Sequence, residues 1–132
     1  MAGILTPAQV FEACDRIMAG PLVWGLSDCT AAACDVFADL HGIDPMAPLR
    51  GAYAGPGAAR RIIRQAGGML ALGQALAARA GLVECHAVPG AIGILPNARR
   101  HVAAICIEPG KWAAKTADGF AVTDGALTAW RV

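Results

Sequence analysis

The residues best suited to chemistry begin at Cys29, which follows Trp24-Gly25-Leu26-Ser27-Asp28 and opens a helix-forming run over 31–40. A thiol in the first helical turn lies among unpaired backbone N–H groups at the positive end of the helix dipole. Those conditions favour thiolate, the nucleophilic form of cysteine. The competing reading is a small apolar residue capping a core helix. A cysteine hydrolase also needs a histidine to carry the proton and a polar group to orient it, gathered in space rather than along the chain. Three histidines are available. His41 ends the helix that Cys29 opens, about 18 Å away at the helical rise, and is too far to pair with it. His86 stands in a linker beside Cys85. His101 begins a strand after a basic turn, where a strand end can present it across a cleft, so it is the best base. The bland alternative is an exposed histidine at a strand start. The backbone N–H of Cys29 is a natural oxyanion donor.

Composition narrows the class. A chain of 132 residues reads as one domain spanning 1–132, long enough to bury about two thirds of its unfolded surface without a metal or a disulfide. Hydrophobic residues make up 56% and mean hydropathy is +0.48, yet Arg, Asp, Glu and Gly interrupt every run before the ~20 apolar residues of a membrane span. Little polar surface is left, which points to an exposed apolar patch and a protein partner. The opening Met1-Ala2-Gly3-Ile4-Leu5-Thr6-Pro7 lacks a basic region followed by an apolar one, so no signal peptide is expected. Net charge is +1 with a single tyrosine, which argues against nucleic acid as partner.

Five cysteines (Cys14, Cys29, Cys34, Cys85 and Cys106) form no Cys-x-x-Cys pair and no regular spacing, so neither a disulfide framework nor a redox motif is expected. Cys14, Cys34 and Cys106 read as small buried hydrophobes. A zinc site would need scattered residues such as Cys85, His86 and His101. No metal and no cofactor are expected.

The elements that must position Cys29 and His101 follow from capping and period. Thr6-Pro7-Ala8-Gln9 is a capping box with proline at the first helical position, and Val10, Phe11, Cys14, Ile17 and Met18 recur at helical spacing until Gly20-Pro21. The second helix covers 28–41 and stops at Gly42. Residues 41–53 form a loop long enough to suggest function. Gly55-Pro56-Gly57 opens a third helix with Ala58, Ala59, Ile62 and Ile63 on one side; Arg60, Arg61 and Arg64 lie mostly on the other and read as a solvated face rather than an anion site. Gly67-Gly68 breaks it, and 69–80 is a fourth helix. The period then changes: strands at 91–95, 101–107, 111–115, 120–122 and 129–132, with Pro96-Asn97-Ala98-Arg99-Arg100 a polar turn and Asp118-Gly119 a hairpin signal. Helices first and an antiparallel meander afterwards is α+β.

Asp28-Cys29 at a helix start, Pro89-Gly90-x-Ile92-Gly93-Ile94 and the strand His101-Val102-Ala103-Ala104-Ile105-Cys106-Ile107 together resemble the NlpC-type branch of papain-like cysteine peptidases. Nearly the whole chain is similar to a small papain-like family encoded in phage and prophage tail gene clusters, through Trp24-Gly25-x-x-Asp28-Cys29, Gly42-Ile43-Asp44-Pro45, Arg50-Gly51-x-Tyr53, Ala66-Gly67-Gly68 and Ala129-Trp130-Arg131-Val132. The resemblance implies a papain-like domain with Cys29 as nucleophile and His101 as base. It puts the third position near Lys115, where the wider group has His, Asn, Gln or an acid; Asp28 or Thr116 are the substitutes within this chain. Ala91 stands where the wider group commonly has Asp, and Thr30-Ala31 replaces Ser-Gly. Two functions are implied. One is a tail-associated hydrolase cleaving an amide of peptidoglycan stem peptides. The other is a catalytically weak or inactive module of the tail tip or hub, with other tail proteins as partners. Either sits in the virion tail, or in the host cytoplasm before assembly.

Overall fold

Thr6 starts the first helix as the capping box requires. Its hydroxyl accepts from the Gln9 N–H at 3.2 Å and the Gln9 side chain accepts from the Thr6 N–H at 2.9 Å. A computed structural model describes residues 4–98 and 100–132. Residues 1–3 of the segment read for an export signal, and Arg99 of the polar turn, lie outside the described residues. Four helices come first: α1 (Pro7–Met18), α2 (Cys29–His41), α3 (Pro56–Gln65) and α4 (Met69–Arg79), with a short 3-10 turn, Ala47–Leu49, between α2 and α3. Six strands follow: β1 (Val83–Glu84), β2 (Ile92–Asn97), β3 (Arg100–Glu108), β4 (Lys111–Lys115), β5 (Phe120–Thr123) and β6 (Thr128–Arg131). They form one open antiparallel sheet in the order β1-β6-β2-β3-β4-β5. The domain is α+β, helices before sheet, as the change of period predicts. Among the described residues no helix is long and apolar enough to cross a membrane.

Period-two alternation gives the sheet two buried faces. Ala103, Ile105 and Ile107 of β3 pack with Val10, Cys14, Val36 and Phe37 of α1 and α2. Ala104 and Cys106 face the other way, against Leu95 and Trp112, where partly buried Cys85, Ala87 and Ala126 of the connecting loops cover them. Gly93 makes that second face possible, because a Cβ there would meet the Trp112 ring at 2.7 Å and the Thr128 carbonyl at 2.9 Å.

Two local readings are corrected. The polar turn is shorter than the composition suggests: β2 continues through Pro96 and Asn97, which pair with His101 and Arg100. Pro96 is tolerated at that strand end because fewer ladder bonds depend on its missing N–H. The strand β1 lay in what read as linker, and it exists only as a two-residue pairing with β6.

The long loop is a strap rather than a slack connection. Arg50 donates to Asp44 through Nε at 3.0 Å and to Asp35 of α2 through Nη2 at 2.6 Å. Asp44 also accepts from the Met46 N–H at 3.0 Å. These bonds lay residues 42–53 back along α2, from its C-terminal Gly42 towards its N-terminal Cys29. His41 stays at the far end, bonded through Nε2 to the Gly90 carbonyl at 2.9 Å and tilted against Phe37.

Candidate functional site

Asp28 builds the start of α2. It is 2% exposed, and its carboxylate accepts four hydrogen bonds. Oδ1 takes the N–H groups of Thr30 and Ala31 at 3.1 and 3.0 Å. Oδ2 takes the Gly25 N–H at 2.8 Å and the Tyr53 hydroxyl at 2.7 Å. One side chain therefore caps the helix, closes the Trp24-Gly25 turn and ties down the end of the strap. Gly25 holds φ +84° with its α-carbon against the Tyr53 carbonyl, a place where a Cβ does not fit. With the Thr30 and Ala31 N–H groups bonded to Asp28 and the Ala32 N–H bonded to the Asp28 carbonyl, the Cys29 N–H is left as the free donor of the first turn among the described hydrogen bonds.

The Cys29 thiol is half-buried, 4.0 Å from the Thr30 hydroxyl, and the backbone at Ala103 of β3 is among the groups that act on it. His101 lies two positions earlier on that strand. Because Ala103, Ile105 and Ile107 face the helices, alternation places His101 on the same face, about 7 Å along the strand from Ala103. Both residues line one cleft of about 450 Å³. Its walls are mostly apolar, from Met46, Leu49, Ile62, Ile63, Met69 and Leu72, and Asp28, Thr30 and Tyr53 are among its polar lining residues beside Cys29 and His101.

The expected thiolate is not what this environment favours. Burial is the largest influence on Cys29 and raises its pKa. The Thr30 hydroxyl opposes that, the Asp28 charge adds to it, and the backbone bonds at Ala103 and Thr30 oppose it more weakly. The sum lies above the ordinary thiol value, so Cys29 rests as a thiol. Helix-start position alone overstated the nucleophile because it left out burial and the adjacent carboxylate.

None of the three candidates for an orienting group reaches His101. Lys115 is 7% exposed, and its ammonium donates to the carbonyls of Gly20, Thr116 and Gly119 at 2.6, 2.9 and 3.3 Å. It does not line the cleft. Instead it fastens the segment after α1 to the β4–β5 corner, beside a bond from the Leu22 N–H to the Ala117 carbonyl at 2.8 Å. Asp28 has its lone pairs occupied by the four donors named above. Thr116 accepts from the Gly119 N–H at 3.1 Å within the turn. Of the predicted residues, then, the fold brings together Cys29, His101 and Asp28, and it places Lys115 elsewhere. Cys85 and His86 also lie off the cleft, and among the described residues no three His, Cys, Asp or Glu side chains gather as a metal-holding group.

Two further cleft residues were not among the candidate site residues in the sequence. Tyr53 shares Asp28 with the helix start, and burial together with its bond to Asp28 pushes its hydroxyl pKa far up, so it is a fixed donor. Arg60 lines the cleft although it sits in what read as a solvated trio. Pro56, Ala59, Arg60 and Ile63, at i, i+3, i+4 and i+7, all line the cleft.

A single family model spans both halves of this site, matching residues 6–132. The chain belongs to DUF6950, a domain of unknown function. No curated protein and no solved structure matches it. The match covers α1 to β6, so the helical half carrying Cys29 and the sheet half carrying His101 fall within one DUF6950 domain.

Proposed function

We propose that this domain is a papain-like cysteine hydrolase of amide bonds, with Cys29 as nucleophile and His101 as base. The observation that carries the reading is that Cys29, at the start of α2, and His101, on β3, line one cleft. Because Cys29 rests as a thiol, His101 takes the Sγ proton as sulfur attacks the amide carbon, and no thiolate–imidazolium pair stands ready beforehand. The Cys29 N–H faces no other acceptor and stabilises the oxyanion. As the C–N bond breaks, the imidazolium returns its proton to the leaving amine. Water then attacks the thioester, giving its proton to His101, and the acid product departs as the thiol is restored.

The substrate class rests on the resemblance to a papain-like family encoded in phage and prophage tail gene clusters: an amide of a peptidoglycan stem peptide, cleaved as a tail crosses the cell wall. A second reading, a catalytically weak module of the tail hub, is favoured by one feature: Lys115, Asp28 and Thr116 are all bonded elsewhere, so His101 lacks an orienting partner among them. Purified sacculi separate the two. Wild-type protein is expected to release soluble muropeptides with new free amino groups, and Cys29→Ala to release none. No release by the wild type would sink the hydrolase and leave the assembly module standing.

A further inference from the structure

The two ends of the sheet are finished differently. At one, β1 is only two residues long and offers little edge to pair with. At the other, β5 runs Phe120-Ala121-Val122-Thr123 with no strand beyond it among the described residues. It carries no proline, no charge and no bulge, the devices that usually blunt an edge. Ala121, Val122 and Thr123 are exposed.

Register fixes which backbone groups of β5 are free. The Thr116 N–H donates to the Gly119 carbonyl at 2.8 Å, and the pairing runs on as Lys115 with Phe120, Ala114 with Ala121 and Ala113 with Val122. Bonded and unbonded pairs alternate along an antiparallel ladder. Ala121 and Thr123 therefore bond to β4, while the N–H and C=O groups of Phe120 and Val122 point out from the edge. Their side chains lie on the helix side of the sheet, because Val122 is opposite Ala113 of the helix-facing core. There Phe120 meets Phe11 of α1 edge to face at 5.6 Å, and Phe11 and Val122 are each 47% exposed. Unpaired backbone thus runs beside an open apolar ledge.

Charge decides what fits there. Asp118 stands two residues before Phe120 and Asp124 two residues after Val122. Asp124 accepts from the adjacent Gly125 N–H at 2.7 Å, but neither acid has a cationic partner among the described residues. Lys111, which the register brings towards Asp124, is paired with Glu108. A second copy pairing antiparallel, Phe120 to Val122 and Val122 to Phe120, would set Asp118 of each copy against Asp124 of the other. Like charges directly opposite destabilise a strand pair. We propose that β5 is an acceptor edge for an extended segment of another protein, apolar at two alternate positions that lie on Phe11, Phe120 and Val122, and basic two residues to either side. Phe11, Phe120 and Val122 do not line the cleft, so the inference is independent of hydrolysis.

The test is an amide-resolved NMR titration of the whole protein with a blocked peptide, lysyl-threonyl-valyl-threonyl-valyl-threonyl-lysine, and with its counterpart carrying glutamate for both lysines. The basic peptide is expected to shift the Phe120 and Val122 amides, to slow their hydrogen exchange, and to bind about tenfold tighter than the acidic one at low salt. Val122→Pro removes an outward N–H and no ladder bond, so it should abolish binding with circular dichroism unchanged. The pair Asp118→Lys and Asp124→Lys, which leaves the strand itself untouched, should reverse the preference between the peptides. Equal affinity, no binding of either peptide, or shifts confined to residues away from β5 and Phe11 would overturn the proposal. So would a dimer in sedimentation whose Phe120 and Val122 amides are already protected without peptide, since a second copy would then hold the edge.

Discussion

At Asp28 and Cys29 the chain sets a carboxylate directly before a thiol. The carboxylate is needed for shape, since it gathers Gly25, Thr30, Ala31 and Tyr53, but its charge works against ionising the neighbouring sulfur. A raised thiol pKa means that alkylation must wait for higher pH. The iodoacetamide labelling rate at Cys29 should therefore have its midpoint above the ordinary 9.0, and a midpoint below that value would contradict the arrangement. Asp28→Asn should lower the midpoint by removing the charge. It should also cost about 1–3 kcal/mol in urea unfolding, because an amide NH₂ then faces a donor where Oδ2 accepted. Position at a helix start is legible in sequence and charge beside it nearly so. Burial is not, and here burial prevails.

Between elements, the strap and the Lys115 fastening do the positioning. Capping boxes, glycine stops and the Asp-Gly turn are local signals, so α1, α2, the fourth helix and the hairpin could be read directly from residues such as Thr6, Gln9, Gly42 and Gly119. Lys115 could not, because its partners Gly20, Thr116 and Gly119 are backbone carbonyls, which carry no side-chain signature. The same reason hid β1, two residues defined only by β6. Arg60 was hidden by composition: three arginines on one short helix look alike until the cleft separates them. Lys115→Met should leave those carbonyls without their shared donor and destabilise the fold by about 2–3 kcal/mol. A third catalytic residue would instead lose turnover with stability intact, so urea unfolding beside muropeptide release decides between the roles.

Across the whole molecule, an apolar composition became two buried faces of one sheet, with thiols packed into both. Burial pushes the Cys14 and Cys34 thiols up to about 12. An unfolded chain releases those protons near the ordinary 9.0, while the folded one keeps them. The stability they contribute is thus complete below about pH 9 and is lost as pH rises towards 12, at about 1.4 kcal/mol per pH unit for each thiol. Urea midpoints taken from pH 8 to pH 11 should fall, and Cys14→Val should flatten the slope; a flat wild-type profile would refute the burial of these groups.

The strand order carries a consequence for how the chain is made. β6 comes after every other strand in synthesis, yet it fills the place between β1 and β2. Until residues 128–131 have left the ribosomal tunnel, β2 shows an unpaired edge carrying Ile92 and Ile94, which β6 later covers. A nascent chain can therefore fold its helices early and still lack a finished sheet. The sheet that carries His101 is thus completed from within, by the last of the described strands.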